Sequence, residues 1–190
     1  MEPHLAKNDK EIFDRYLKNT DVYFEYGSGG STYQASILNT IKKIYSVESD
    51  PIWQEKLKQE IQNKNIEYIF NEMDTQPKTW GRPGKNATDI QKKNYSNHIL
   101  HLSKEEQDSI NLILIDGRFR VACCLKCHDI MNDNCLIAFD DFLNRPYYHI
   151  VLDYFDIVEK TQDNRMVILK KKMNTNVPKE LIEKYELIQD

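Results

Sequence analysis

Three acidic side chains follow two apolar runs in the second half of the sequence. Asp116 comes directly after "LILI", and Asp140 and Asp141 follow "CLIAF". Because neighbouring parallel strands end at the same edge of a sheet, these carboxylates are expected to converge. Converging carboxylates repel one another unless a hard cation such as Mg²⁺ or Mn²⁺ holds them. The pattern predicts a divalent-cation site at these three residues. The alternative is that one acid caps a helix and the others are solvated.

A glycine-containing turn, Gly27 to Gly30, follows the apolar run "VYFEY". Glycines allow a ligand to approach the backbone closely. A dinucleotide fingerprint would place a third glycine where Thr32 stands, and a phosphate-binding loop would end in Gly-Lys followed by Ser or Thr. The turn therefore fits neither phosphate motif. A glycine turn that binds nothing is the alternative.

An acid, Glu48, lies about twenty residues beyond the glycines, where a carboxylate can accept hydrogen bonds from ribose hydroxyls. The turn and the acid together indicate a ligand more strongly than either feature alone. The alternative for Glu48 is an acid at a helix N-terminus, favoured by the helix dipole.

Strand-like and helix-like segments alternate along the chain, which favours an α/β fold with a parallel sheet. The strand-like runs are VYFEY, IYSVES, IEYIFNE, NLILID, CLIAFD, DIVEKT and MVILKKK. The helix-like runs are residues 9–18, STYQASILNTIKK, PIWQEKLKQEIQN, VACCLKCHDIM, YYHIVLDYF and residues 179–188. Five parallel strands are expected, followed by two strands that form an antiparallel hairpin through the polar turn "QDNR".

A polar stretch from Asp74 to Asn97 breaks this alternation and contains Pro77, Gly81, Pro83 and Gly84. It predicts a long irregular insertion, and loops of that length are usually functional or disordered. Elsewhere the sequence shows no linker, so residues 1–190 are expected to form a single domain.

The composition is that of a globular protein, with 40% hydrophobic and 29% charged residues. A net charge of −4 argues against nucleic acid as a partner, because nucleic-acid-binding domains usually carry a basic excess. No apolar stretch is long enough to span a membrane, and the N-terminus lacks a signal peptide's apolar region. A cytoplasmic location with reduced cysteines is expected. Cys123, Cys127 and the adjacent His128 could suggest zinc, but buried core cysteines are favoured.

The stretches "VYFEYGSGGSTYQAS" and "IYSVESDPIW" resemble motif I and the acid after the second strand of class I S-adenosylmethionine-dependent methyltransferases. The resemblance covers nearly the whole chain and includes the terminal hairpin. It implies a Rossmann-like seven-stranded sheet, mostly parallel with an antiparallel C-terminal hairpin and helices on both faces. It also implies S-adenosylmethionine as cofactor, with the glycine turn at its amino-acid part, Glu48 at its ribose and Asp74 at its adenine. The implied cofactor-binding residues are Glu25, Tyr26, Gly27, Ser28, Gly29, Ser31, Glu48, Ser49, Asp74 and Asp116.

The regions "LIDGRFR" and "AFDDF" also resemble the cation-dependent small-molecule O-methyltransferases, in which three ligands after strands four and five hold Mg²⁺. The matching positions are Asp116, Asp140 and Asp141. Many of those enzymes place a lysine or histidine as general base three residues after the first acid, but Phe119 stands there. The departure leaves Asp116, Asp141 or His149 to act as base, and a packed or capping role is the alternative for His149.

Arg118, Arg120 and Arg145 flank the predicted site and could hold an anionic or sugar-nucleotide substrate, since guanidinium groups suit carboxylates and phosphates. Ion pairing with the nearby acids is the alternative. Trp80, in the insertion, could stack on a sugar or aromatic ring, or it could fix the loop to the core. The expected catalytic residues are Asp116, Asp141, His149 and Arg118.

These observations predict a methyltransferase that acts on a hydroxyl group of a small molecule or of a sugar or glycan. Assistance by a divalent cation and assembly as a homodimer are further expectations. No nucleic acid or membrane partner is expected. Two alternatives stay open. One is a methyltransferase-fold protein that binds without catalysing, and the other is a methyltransferase that acts on nitrogen.

Overall fold

The computed structural model describes residue 1 and residues 4–76, 79–162 and 165–189 of the chain. Its helices are α1 Lys7–Leu17, α2 Gly30–Ser36, α3 Pro51–Glu60, α4 Asp89–Asn97, α5 Lys104–Ser109, α6 Arg120–Ile130 and α7 Lys179–Tyr185. Its strands are β1 Val22–Tyr26, β2 Lys43–Glu48, β3 Ile66–Phe70, β4 Leu112–Ile115, β5 Leu136–Phe139, β6 Phe155–Lys160 and β7 Val167–Lys171. Two 3-10 helices span His98–His101 and Pro146–Asp153.

The seven strands form one sheet in the order β3-β2-β1-β4-β5-β7-β6. Strands β1 to β5 pair in parallel, and β7 pairs antiparallel with both β5 and β6. The expected seven-stranded, mostly parallel sheet with an antiparallel C-terminal hairpin is confirmed. Two residues of the predicted turn "QDNR", Asp163 and Asn164, lie outside the described residues.

Helices cover both faces of the sheet, as predicted. Successive residues of a strand point to opposite faces, so Tyr23 packs in one core cluster with Phe13 of α1, while Phe24 packs in the other. All four residues of β4 are buried, as expected of a central strand between two helical layers. In the part of the chain that the structure describes, no helix combines the length and apolarity needed to cross a bilayer.

The helix predicted over residues 31–43 was too long, because α2 ends at Ser36. The Ser36 hydroxyl donates to the carbonyl oxygen of Tyr33 at 2.7 Å, so it competes with helix continuation at this point. Similarly, the segment predicted as a helix over residues 147–155 is a 3-10 helix that begins with Pro146.

The irregular insertion is shorter than predicted, because its last nine residues form helix α4. Thr88 caps α4 by accepting from the amide of Gln91, whose side chain in turn accepts from the amide of Thr88. This reciprocal capping was readable from the sequence but lay within a polar stretch without an apolar stripe. The insertion's remaining described residues are 74–76 and 79–88, and Pro77 lies outside the described part. Residues 98–109, for which no element was predicted, form a 3-10 helix and α5.

Candidate functional site

The turn after β1 lies against the turn after β4 at the carboxyl edge of the sheet. Gly27 has a φ of +96°, and a Cβ added there would lie 2.8 Å from the backbone nitrogen of Gly117. Only glycine meets both constraints without strain. A Cβ added at Gly29 would meet nothing within 4 Å, so the turn is open on that side. Trp53 fixes the turn from α3, because its Nε1 donates to the carbonyl oxygen of Ser28 at 2.8 Å.

The carboxylate of Glu25 lies beneath this turn and is completely buried. It accepts hydrogen bonds from the hydroxyls of Tyr23 (2.9 Å), Ser31 (2.6 Å), Ser46 (2.6 Å) and Thr32. Ser46 can reach it because the two residues are register partners on β1 and β2. Burial raises the pKa of Glu25, and the hydroxyl donors oppose that rise. In the structure Glu25 supports the turn, and its contact with a cofactor stays a prediction.

Three other predicted cofactor residues have side chains that are already engaged within the protein. The Tyr26 hydroxyl donates to the carbonyl oxygen of Ser96 at 3.0 Å in the core. The Ser31 hydroxyl is used by Glu25, and the Ser28 hydroxyl lies 2.6 Å from that of Ser46. Any contact of Tyr26 or Ser28 with a ligand would therefore come most readily from the backbone.

Glu48 ends β2 beside the glycine turn and is 8% exposed. Its Oε1 accepts from the backbone amides of Ser49 (2.6 Å) and Asp50 (2.8 Å). Burial raises the pKa of Glu48 to about 7, although these amides and that of Ser28 favour the charged form. Because the amides of Ser49 and Asp50 use Oε1, Oε2 is the oxygen suited to accept hydrogen bonds from a ligand. Ser49 itself is buried.

Asp74 closes the base of the insertion, and its predicted contact with an adenine stays a prediction. Its backbone oxygen accepts from the amide of Gly84 at 2.7 Å, and its Oδ2 accepts from the amide of Asn86 at 2.8 Å. Among the residues after β3, Asn71 contacts His98, whose Nε2 lies 2.9 Å from Asn71 Oδ1. Burial lowers the pKa of His98 to about 4, so this imidazole is neutral at physiological pH.

The three aspartates after β4 and β5 do converge, and the guanidinium of Arg120 lies among them. Its Nη2 is 3.1 Å from Asp116 Oδ1, and its Nη1 is 3.7 Å from Asp140 Oδ2 and 3.8 Å from Asp141 Oδ2. Nη1 also donates to the backbone oxygen of Asp140 at 2.8 Å. Arg120 is 6% exposed, so its charge is held inside the protein by these acids.

Two further arginines bind Asp141. Arg145 Nη2 lies 2.7 Å from Asp141 Oδ2, and Arg165 Nη2 lies 2.6 Å from Asp141 Oδ1. Arg165 also approaches the buried Asp9 of α1, at 3.7 Å. Ion pairing with the nearby acids was the alternative for Arg118, Arg120 and Arg145. It is confirmed for Arg120 and Arg145.

The predicted divalent-cation site is not supported. A guanidinium already supplies the positive charge that the three aspartates require. Within residues 4–76, 79–162 and 165–189, no group of three or more His, Cys, Asp or Glu side chains has an arrangement that could hold a metal ion. The sequence favoured a cation because the acids were recognised without their partner. The i,i+4 spacing of Asp116 with Arg120 and of Asp141 with Arg145 was the available signal.

Asp116 and Asp140 are neighbouring, hydrogen-bonded carboxyl groups with different surroundings. Burial, followed by the neighbouring Asp116 carboxylate, raises the pKa of Asp140 to about 8. Burial also raises the pKa of Asp116, while the charge of Arg120 and a hydrogen bond from Asp140 lower it. Asp140 is therefore the member that holds a proton near neutral pH. The Asp116 side chain is 29% exposed, so it can be reached from outside.

The remaining predicted catalytic residues are placed as follows. The ring of His149 packs near that of Phe142, with centroids 5.2 Å apart, and its Nε2 is buried without a hydrogen bond to any described residue. Arg118 Nε and Nη2 donate to the carbonyl oxygens of Trp80 and Thr79, each at 3.0 Å. Their catalytic roles stay predictions.

Phe119 and the cysteines belong to the core. Phe119, at the position where a lysine or histidine was considered, is fully buried, and its ring packs against Tyr95 with centroids 5.8 Å apart. Tyr95 is also close to the turn after β4, because its hydroxyl accepts from the Arg118 amide at 3.5 Å. All four cysteines are buried, which confirms their expected core role.

Sequence reasoning missed four residues that shape this site, namely Asp9, Trp53, Tyr95 and Arg165. Each comes from a segment distant in sequence from the residue it contacts, and none carries a local motif. Only the tertiary arrangement brings them to the carboxyl edge of the sheet.

No protein-family model matches this sequence, and no curated protein matches it. Solved structures do match. A methyltransferase-like protein from Silicibacter pomeroyi superposes with a TM-score of 0.79 at 23% identity, covering 97% of this chain and 94% of its own. An O-methyltransferase from Bacillus cereus in complex with SAH gives 0.58 at 9% identity, covering 90% and 84%. The tRNA methyltransferase TrmI from Aquifex aeolicus gives 0.56 at 13% identity, covering 90% and 70%. The chain therefore has the Rossmann-like fold of class I methyltransferases.

Proposed function

We propose that this protein is an S-adenosylmethionine-dependent methyltransferase that methylates a hydroxyl group of a small molecule or sugar. The observation that carries the proposal is the pairing of an open glycine turn with a buried acid. Gly29 leaves room for a ligand, and the neighbouring Glu48 keeps one carboxylate oxygen for ribose hydroxyls. In open α/β sheets, ligands bind at this carboxyl edge.

The residues present fit the cofactor. The backbone of Gly27 to Gly29 would hold its amino-acid part, and Glu48 would hold its ribose. When bound, S-adenosylmethionine supplies a methyl group activated by a sulfonium. The acceptor oxygen would take this methyl group with loss of the carbon–sulfur bond, whose electron pair would stay on sulfur.

Asp116 is the residue suited to accept the proton from the acceptor hydroxyl. It is partly exposed and lies on the turn that contacts the glycine turn. Its raised pKa brings it closer to neutral pH, where a general base works best. Asp140 keeps its own proton, and Arg120 holds both carboxyl groups in place. No step requires a metal ion.

The charge of the chain supports a small acceptor. A net charge of −4 disfavours a polyanionic partner such as RNA. Among the solved structures compared, one is named as a tRNA methyltransferase and one as an O-methyltransferase. Acceptors with nitrogen nucleophiles and tRNA therefore belong in the test as competitors.

The test begins with calorimetric binding of S-adenosylhomocysteine to the wild type and to Gly29→Ala. We expect the variant to fold normally, since its Cβ meets no protein atom, and to bind at least about tenfold more weakly because the methyl group enters the ligand's space. No binding to the wild type would reject the cofactor. Equal binding to both proteins would reject the assigned position.

The second step uses methyl-labelled cofactor with panels of hydroxyl acceptors, amines and tRNA. We expect labelled ethers and an approximately 100-fold or greater loss of turnover in Asp116→Asn with cofactor binding retained. Labelled amines or tRNA would replace the hydroxyl assignment. Binding without turnover on any panel would favour a non-catalytic binding protein.

A further inference from the structure

The segment Thr79–Gly81 of the insertion lies against the end of β2. Gly81 has a φ of +72°, and a Cβ added there would lie 3.0 Å from Ser49 Oγ and 3.5 Å from Glu48 Oε1. The backbone of the insertion is thus packed on the acid that the proposed function assigns to ribose. This close packing of Gly81 on Ser49 and Glu48 requires glycine, because glycine tolerates the positive φ and has no side chain.

Arg118 holds this segment from the opposite side of the site. It stands two residues beyond Asp116, and its side chain reaches the carbonyl oxygens of both Thr79 and Trp80 at 3.0 Å. Hydrogen bonds from a charged donor are stronger than those between neutral groups. The Arg118 side chain therefore connects two parts of the site. One is the turn after β4, which carries Asp116, and the other is the segment Thr79–Gly81, which lies against the end of β2.

The backbone conformation of Trp80 indicates that contacts with the rest of the protein hold the segment Thr79–Gly81 in place. Its φ is +59°, in the left-handed region that bulky residues avoid. Its side chain is 72% exposed, so burial in the core does not fix it. Besides the bonds from Arg118 to the backbone, its described ring contact is an edge-on packing with His4, at 4.9 Å between centroids.

We propose that Thr79–Gly81 is a cover over the cofactor site and that Arg118 is the latch that keeps it closed. The cover must move away from Glu48 for the cofactor to enter or leave. The proposal rests on the proposed function and adds the regulation of that site. Because the latch belongs to the turn that carries Asp116, occupancy at the acceptor side can influence how readily the cover opens.

The experiment measures association and dissociation rates of S-adenosylhomocysteine by stopped-flow fluorescence, in parallel with hydrogen exchange of the amides of residues 80–82. The variant Arg118→Met removes the latch. Arg82→Met is the matched control, because Arg82 is an exposed arginine of the same loop and its loss changes the charge equally. Gly81→Ala loosens the cover from the other side through strain and contact with Ser49.

We expect Arg118→Met to raise both rate constants about tenfold, as for the loss of two charge-assisted hydrogen bonds, and to speed amide exchange at residues 80–82. Gly81→Ala should change the rates in the same direction, and Arg82→Met should stay within about twofold of the wild type. Binding that appears only after Arg118→Met would also support the cover, as one that is closed in the resting protein.

Equal rates in Arg118→Met and Arg82→Met would overturn the latch while leaving the cofactor assignment intact. Absence of binding in every variant would overturn the cover together with the proposed function, whatever the exchange data show. The two failures are therefore distinguishable. Circular dichroism of each variant confirms that it is folded before rates are compared.

Discussion

Glu48 carries a carboxyl group whose charge the folded protein accommodates only partly. Glu48 is only 8% exposed, and burial raises its pKa from the ordinary 4.5 to about 7 despite the hydrogen bonds from nearby amides. A ligand with hydroxyl donors would favour the charged form and would lower this pKa again. The carboxyl group proposed to bind ribose is thereby kept at some expense of stability, as is common at functional sites.

The first prediction concerns Glu48→Gln and the pH dependence of stability. As pH rises, Glu48 loses its proton more readily in the unfolded chain than in the folded protein, because its folded-state pKa is raised. Its contribution to stability is complete below pH 4.5 and is lost as pH rises to about 7. Glutamine stays neutral and can still accept both amide bonds. The variant should therefore gain stability relative to the wild type as pH rises, by at most about 3 kcal/mol.

Thermal unfolding of both proteins between acidic and mildly basic pH measures this difference. Glu55→Gln, at an exposed position of α3, serves as the matched control and should give a nearly constant difference. A constant difference for Glu48→Gln as well would show that the Glu48 carboxyl group is not destabilised by burial.

At the scale of elements, the ends of β4 and β5 are joined by the first residue of α6. Arg120 reaches from the helix start to three carboxyl groups that come from two strands. The same helix begins after Phe119, whose left-handed backbone (φ +53°) and buried ring turn the chain into the core. Position 119 thus carries a phenylalanine, and not a lysine or histidine, because its buried ring anchors the start of α6.

The second prediction is that Arg120→Met lowers the free energy of unfolding by about 3–5 kcal/mol, because it leaves several buried carboxyl groups without their cation. The wild type, in contrast, should show no change in melting temperature when Mg²⁺ is added or a chelator is present. Chemical denaturation and thermal unfolding measure the two effects.

Arg15→Met provides the matched control for the loss of an arginine–carboxylate pair. Arg15 binds Glu159 at 2.7 Å, but the arginine side chain is 55% exposed, so its loss should destabilise the protein far less than the loss of the buried Arg120. A lower melting temperature of the wild type in chelator would restore the cation site and contradict the role of Arg120 as the cation of the three aspartates.

At the scale of the whole molecule, the sequence predicted the sheet well because buried strands leave a strong local signal. "LILI" and "VYFEY" are apolar runs bounded by turn residues, and they became β4 and β1 at almost the expected limits. The polar helix α4 and the short helix α5 lack an apolar run of comparable strength. Their capping residues, Thr88 and Ser103, were the available signals.

The site was predictable only as far as its residues follow strands. Gly27, Glu48, Asp116 and the two aspartates after β5 do lie at the carboxyl edge, as the topology requires. Their charge partners were harder to predict from the sequence. Arg165, for example, is 24 residues from Asp141 and contacts it only because the C-terminal hairpin folds back beside β5. Charge partners of this kind depend on tertiary packing, so the acids alone suggested a metal site that the arrangement of the arginines does not support.

The last prediction concerns how the C-terminal helix α7 is attached to the rest of the molecule. Glu186, just after α7, forms a buried ion pair with Lys126 of α6, and Lys126 Nζ also donates to Ser96 Oγ of α4 at 2.8 Å. Removing either charge leaves the other buried, so Lys126→Met and Glu186→Leu should each cost about 3–5 kcal/mol. The double variant should cost clearly less than the sum of the two.

Lys93, at 3.9 Å from Glu186 and 41% exposed, is the control, and Lys93→Met should cost less than about 1 kcal/mol. Denaturant unfolding of the four proteins of this cycle measures the coupling, and additive losses would show that the pair does not hold α4, α6 and α7 together.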